Sequence, residues 1–246
     1  MMERPVPRLL FDAYGKKFGL RTVLKSASAW AWPGRITLLM GRNGCGKTTL
    51  LRCGLGLTRA EFGGVFLDGS PVSGGLPSLS RAGMFFLPDR RLLSPRLTLR
   101  EQLTAFSQVK GRQVDVASAS PLDVEPLLDS RPGGMSGGER RRAEIWLAVA
   151  AASSCLIADE PFLGIAPNDR RRVAAALRAR AATGTAILVT GHEVEDLFDL
   201  ADEVIWMVAG TTHGLGTPDE AARHAQFRLE YLGTRALPQL RTVHRL

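Results

Sequence analysis

Three short stretches of this sequence hold side chains that could do chemistry together. Gly41-Arg42-Asn43-Gly44-Cys45-Gly46-Lys47-Thr48 fits the pattern G-x-x-x-x-G-K-[ST] in full. Its glycines allow successive backbone N–H groups to curl around a phosphate, and a helix opening at Lys47 aims its positive dipole end at the same anion. Lys47 can then reach the β and γ phosphates, and the Thr48 hydroxyl, next to Thr49, can hold Mg2+. Leu156-Ile157-Ala158-Asp159-Glu160-Pro161 is an apolar run ending in two carboxylates. Alone, such a pair is a turn or helix-cap feature. Beside a phosphate loop, Asp159 suits Mg2+ binding through water, and Glu160 suits polarising an attacking water as general base. Ser136-Gly137-Gly138 is a second helix start able to bind an anion, and His192 follows another apolar run. A lone histidine at a strand end is more often packing or a cap, so His192 needs its context to count.

These residues must be positioned by strands and helices, and the pattern supplies them. Ile36–Met40, Met84–Leu87, Cys155–Ala158, Ala186–Thr190 and Val204–Val208 are apolar on both faces. Helical stretches such as Glu139–Ala152 and Asn168–Ala182 separate them. Such strands predict a parallel sheet covered on both sides. Near the start, Ala29-Trp30-Ala31-Trp32 predicts a half-buried antiparallel strand, with both tryptophans as packing residues. Between residues 90 and 135 one helix is expected, with Thr98 as N-cap and Glu101 closing a capping box. A Ser/Pro/Asp-rich loop, Val116–Pro132, follows it.

Composition narrows the classes. The chain has 246 residues, 45% hydrophobic and 23% charged, which excludes wholesale disorder. Aromatics are only 7%, which argues against an aromatic-rich β-sandwich. Three cysteines, Cys45, Cys53 and Cys155, lack metal-ligand spacing and predict a reducing, cytosolic setting. No apolar run approaches the roughly 20 residues of a membrane span, and the N-terminus lacks a signal peptide's apolar core. The net charge of +8 is concentrated in residues 90–142 and 223–246. It fits either an anionic surface or a solvated arginine-rich face. No nucleic-acid partner is expected, because no aromatics interleave the charges as a stacking platform would require.

Met135-Ser136-Gly137-Gly138-Glu139 closely resembles the L-S-G-G-Q signature of ABC-type ATPases, with Met for Leu and Glu for Gln. The order of phosphate loop, Ser-Gly-Gly, Asp-Glu and later His is specific to that family, and the resemblance runs from about Leu9 to Gly233. It implies an α/β P-loop fold: a mostly parallel core sheet flanked by helices, a small antiparallel part at the N-terminus, and an inserted helical subdomain. The expected organisation is one domain over 1–246, with 1–89 and 136–233 as core, 90–135 as the helical subdomain, and 234–246 as a basic tail. The resemblance also implies ATP and Mg2+, with Ser136, Gly137 and Gly138 binding the γ-phosphate held by a partner subunit. His192 matches the histidine that hydrogen-bonds that phosphate. Phe18 lies where the family stacks an aromatic on adenine; Tyr14 competes for that role, and simple packing is the alternative. Glu139 to Ile145, Glu160-Pro161-Phe162 and Tyr231-Leu232-Gly233 resemble the lipopolysaccharide-export and branched-chain amino-acid transporter branch.

Two positions depart from the family pattern. The glutamine expected after Leu87-Pro88 is Asp89, a good Mg2+ ligand that is shorter and adds charge. The aspartate expected before Pro167 is Ala166, which predicts weaker coupling between two nucleotide sites and slower turnover. Cys45 is either a redox-sensitive point in the loop or an ordinary small residue. The resemblance implies an ATP-hydrolysing subunit that powers a transporter, paired with itself or a paralogous ATPase subunit and with transmembrane permease subunits. Its expected place is the inner face of the cell membrane. The alternatives are a soluble, non-transport ATPase of the same family and a slow, degenerate nucleotide-binding regulator.

Overall fold

The computed structural model describes residues 6–110, 121–192 and 197–232. In chain order the elements are β1 (Leu9–Phe18), β2 (Arg21–Ala31), β3 (Ile36–Met40), α1 (Lys47–Gly54), β4 (Phe62–Leu67), β5 (Ser70–Pro71), α2 (Gly75–Arg81) and β6 (Met84–Leu87). Then come α3 (Leu99–Lys110), α4 (Gly137–Ala151), β7 (Cys155–Ala158), α5 (Pro167–Ala182), β8 (Ala186–Gly191), β9 (Glu203–Val208), β10 (Thr211–Gly216) and α6 (Pro218–Arg223). A short helix, Ala225–Phe227, and a π turn, Arg228–Leu232, close the described chain.

All ten strands join one sheet in the order β5-β4-β1-β2-β10-β9-β3-β8-β7-β6. The five expected apolar strands form its parallel part, β9-β3-β8-β7-β6. Their registers place Met40 beside Gly191 and Ala158 beside Val189, so the chain leaves β3, β7 and β8 at one sheet edge. Phosphate-loop, carboxylate and histidine residues follow those three strands directly. Helices pack on both faces, and the core splits accordingly. Ile145, Leu147, Leu156 and Val189 belong to one side, and Leu39, Leu50, Ile157 and Leu188 to the other.

β1, β2, β4 and β5 are antiparallel. The alternation in β2 runs opposite to the side-chain sizes: Ala27, Ala29 and Ala31 are fully buried while Trp30 is half-buried. The small faces fit flush against the core, and the Trp30 indole N–H donates to Glu203 at 2.9 Å. Trp30 thus packs and also ties β2 to β9. The insertion contains α3, capped by Thr98 and Glu101 as expected (Thr98 N–H to Glu101 Oε2 2.7 Å, Glu101 N–H to Thr98 Oγ1 3.2 Å). Phe106 of α3 packs on Phe85 of β6, with ring centroids 5.3 Å apart. Residues 116–120 of the predicted loop and the predicted tail at 234–246 lie outside the described residues. Among the described residues no helix is long and apolar enough to cross a membrane.

Candidate active site

The loop between β3 and α1 turns on two glycines with positive φ, Gly44 (+79°) and Gly46 (+117°). Gly46 also has no room for a side chain: a Cβ there would lie 2.8 Å from Met207 Cε and 3.0 Å from Leu24 Cδ2. Gly41 is equally confined, because its Cβ would meet Cys45 Sγ and Met207 O at 2.6 Å. Arg42, Asn43 and Gly44 are exposed, as is Thr48, while Thr49 is half-buried. Lys47 is buried, and its ammonium donates to Gly41 O at 2.7 Å and lies 3.4 Å from Glu160 Oε1. Burial pushes the Cys45 thiol up, outweighing the Lys47 charge that pulls it down. The thiol is therefore held protonated and poorly nucleophilic, which favours the small-residue reading over a redox role.

Asp159 and Glu160 leave the tip of β7. Asp159 is fully buried; its Oδ1 accepts from the Thr190 hydroxyl at 2.6 Å, while Oδ2 has no hydrogen-bond partner. Burial raises its pKa above the usual carboxylate range. The Thr190 and Thr48 hydroxyls partly offset this, and the Asp89 and Glu160 charges add to it. Glu160 sits at φ +47°, a region costly for a residue with a side chain. Its N–H donates to Thr190 Oγ1 at 2.9 Å, and its Oε2 lies 2.9 Å from His192 Nδ1. An ionised carboxylate only accepts, so Nδ1 carries the proton of that pair.

The structure brings most of the expected residues to one cleft of about 450 Å3, lined by Asn43, Gly44, Gly46, Lys47, Thr48, Thr49, Asp89, Glu160 and His192. Arg21 and Val23 of β2 line its other wall. Gly41, Arg42, Cys45 and the buried Asp159 are not among the lining residues, although they adjoin ones that are, and two further expected groups lie apart from the cleft. Phe18, at the exposed end of β1, is not among the lining residues and instead lies under Lys16, whose Nζ is 4.9 Å from the ring centroid. Its competitor Tyr14 is a core residue, packed edge-on against Phe11, with a phenol pushed up to about 12 chiefly by burial. Ser136, Gly137 and Gly138 open α4 away from the cleft lining. There Ser136 Oγ accepts Glu139 N–H at 3.2 Å and Glu139 Oε2 accepts Ser136 N–H at 2.8 Å. The glutamate at the signature's glutamine position thus closes a capping box, and these Ser136 contacts lower its pKa.

Two residues to which the sequence assigned no role at the site hold it together. Thr190 bridges Asp159 and Glu160, and Arg141 of α4 donates to the carbonyls of both (3.1 and 3.0 Å) and of Pro88 (2.9 Å). Thr190 stood in the sequence only as the end of an apolar strand. Arg141 was one of three consecutive arginines, and only the helical phase turns it inward.

The site has the parts a Mg2+-nucleotide needs. Gly44 and Gly46 let the loop backbone turn at positive φ toward the cleft they line, and Asp159 Oδ2, with no hydrogen-bond partner, is a buried oxygen suited to a hard cation or its water. Among the described residues no group of three or more His, Cys, Asp or Glu forms a metal cage by itself.

Residues 24–163 match the sequence profile of the ABC transporter family. The lipopolysaccharide export system ATP-binding protein LptB of Haemophilus influenzae is 31% identical, over 92% of this chain and 97% of that protein. The Nod factor export ATP-binding protein I of Burkholderia lata is 33% identical over 87% of this chain and 72% of its own length. In fold, the chain superposes on an ATP-binding cassette of an ABC transporter in its ADP conformation with a TM-score of 0.79, at 21% identity, covering 93% of this chain and 99% of that one. With the phosphate loop, the Asp-Glu pair, the histidine and the signature helix start all on the fold expected for them, the chain belongs to the ABC transporter family, as one of its ATP-binding subunits.

Proposed function

We propose that this chain hydrolyses Mg·ATP at the Lys47–Glu160–His192 cleft and works as a pair that powers membrane-spanning subunits on the inner face of the membrane. The convergence of Lys47, Asp159, Glu160 and His192 on the phosphate loop is the observation that carries this reading. The amides of Gly41 to Thr49 and the Lys47 ammonium bind the phosphate oxygens. Thr48, Asp159 and Asp89 are the residues that would hold Mg2+, which supplies charge neutralisation on the phosphates. Glu160 takes the proton of the attacking water. His192, donating from Nδ1 to Glu160, orients that carboxylate and offers its ring to the phosphate side.

The Ser136–Gly138 helix start serves a phosphate bound by a second copy or a paralogous subunit, since it does not line its own chain's cleft. Phe18 is the aromatic available to adenine, exposed at the end of β1. The Arg90–Arg131 insertion is the docking face for membrane subunits. Its exposed Leu97 and Val109, with Arg90 and Arg91, fit an apolar partner beside an anionic leaflet. Charge reversal at Arg90 and Arg91 then weakens membrane association; unchanged association removes the leaflet from the proposal. Asp89 and Ala166 make turnover slow and its Mg2+ dependence unusual. Relatives named for lipopolysaccharide export and for Nod factor export support a transport role.

The test is purification of the chain from detergent-solubilised membranes of its host, with mass spectrometry and an ATPase assay of wild type and Glu160→Gln. A multi-span protein in stoichiometric amount, with turnover lost in the variant, supports the reading. A purely soluble partner moves it to a non-transport ATPase of the family. Equal, near-background rates make the chain a nucleotide-binding regulator.

A further inference from the structure

The Glu160 peptide is gripped from both sides. Its N–H donates to Thr190 Oγ1 at 2.9 Å, and its carbonyl accepts from the Arg141 guanidinium at 3.0 Å and from Leu163 N–H at 3.1 Å. Glu160 needs such a grip, because φ +47° is a conformation that a residue with a side chain leaves unless its surroundings enforce it. Arg141 lies five positions past Ser136 on α4 and is 6% exposed. The same guanidinium donates to Asp159 O at 3.1 Å and to Pro88 O at 2.9 Å, the carbonyl next to Asp89. It pairs with Glu144 at 3.1 Å, and Glu144 Oε1 in turn accepts Leu92 N–H, also at 3.1 Å. One planar fork therefore binds the backbone carbonyls of Asp159 and Glu160, the Asp89 turn and, through Glu144, the first residues of the insertion. Lysine, with a single point charge, cannot satisfy these acceptors in one plane.

The geometry points to Arg141 as a positioning residue. It holds the Glu160 peptide in its left-handed conformation and links that peptide rigidly to the Asp89–Leu92 segment, so a shift of the insertion is delivered to the general base. Arg141 touches no reacting atom and acts only through Glu160. A carbonyl displaced by the loss of this fork swings the Glu160 carboxylate away from the attacking water while leaving the phosphate loop intact. The inference rests on Glu160 being the base, and the test separates the two.

Turnover, ATP binding and amide exchange of the full chain are measured for Arg141→Gln, Arg141→Lys, Glu144→Gln and the control Glu160→Gln. Arg141→Gln is expected to lower kcat roughly 10- to 100-fold, the scale of a displaced catalytic group. Its affinity for ATP stays within about twofold of wild type, because Lys47 and the loop amides are untouched. Exchange quickens over residues 159–163, and Arg141→Lys recovers part of the lost turnover. Unchanged kcat in both Arg141 variants overturns the proposal, as does a parallel fall of kcat, ATP affinity and melting temperature. Should Arg141→Gln fail to fold, Glu144→Gln decides: it keeps an acceptor for Leu92 but removes the charge facing Arg141. Lowered kcat at constant ATP affinity supports the link, and wild-type kcat overturns it. If Glu160→Gln keeps wild-type turnover, the base assignment fails instead. Exchange at 159–163 then judges the grip alone, unchanged exchange overturning it.

Discussion

The glycine-rich starts of α1 and α4 differ in their surroundings. At the head of α1, Gly41 and Gly46 are walled in by Met207, Leu24 and Cys45, and Gly46 adopts φ +117°. The chain's own packing demands those glycines. At the head of α4, Gly137 and Gly138 have no neighbouring atom within 4 Å of a built Cβ, and neither has positive φ. Nothing within this chain requires them, and in a helix they cost stability relative to alanine. A fold that keeps two glycines at an open helix start is prepared for close approach from outside, which is what the proposed second nucleotide demands.

Substitution breaks or sharpens that contrast. The largest effect is expected from Gly46→Ala. The positive φ and the Met207 and Leu24 contacts together cost about 3 kcal/mol, visible as a melting temperature lower by roughly 6–12 °C and lost ATP binding. Gly138→Ala is expected to do the reverse to the fold, adding about 0.5 kcal/mol of helix stability while lowering ATPase turnover roughly tenfold through crowding of the partner's phosphate. Wild-type turnover in that variant would remove the outside partner from the explanation. Smaller again is Asp159→Asn. Burial raises the Asp159 pKa, so the ionised form destabilises the folded state, and this cost grows as pH rises through that raised value. The nucleotide-free variant is therefore expected to be more stable at neutral pH by about 1 kcal/mol, or roughly 2–4 °C. The difference closes as pH falls and the wild-type carboxyl protonates, and a calorimetric pH series checks it. Least in size is Asp89→Gln, expected to change the Mg2+ concentration for half-maximal ATPase severalfold; an unaltered Mg2+ titration removes Asp89 from the ligand set.

The same contrast explains how far the sequence could be read. Strands buried on both faces announce themselves, so Ile36–Met40, Cys155–Ala158 and their neighbours stand in the sheet within a residue of expectation. β10 does not: Thr-Thr-His-Gly-Leu-Gly carries too few apolar side chains, and its strand state comes from pairing with Glu203–Val208. Ala29-Trp30-Ala31-Trp32 was legible as a half-buried antiparallel strand, but its pattern did not show that the alanines take the core face. At the site, the placement of Lys47, Asp159, Glu160 and His192 at neighbouring strand ends was legible from residue type and order. Thr190 and Arg141 were not. Their importance comes from a backbone conformation at Glu160 and from the rotation of α4, neither of which a linear pattern encodes.

The sheet carries one more lesson in its seam. The antiparallel half meets the rest through β2 and β10, where a single parallel pair, Thr211 with Ser26, is supplemented by the Ser28 N–H to Thr212 Oγ1 and Lys25 N–H to Gly210 O bonds. The hydrogen-bonded joint is narrow, and side chains close it: Leu9, Phe11 and Leu24 of β1 and β2 share one buried core with Leu39, Leu50 and Leu188. The nucleotide cleft straddles this joint, with Arg21 and Val23 on one bank and Lys47 and Glu160 on the other. A nucleotide bound there would touch both banks and so add a further tie across the joint, stabilising the folded chain in proportion to its occupancy.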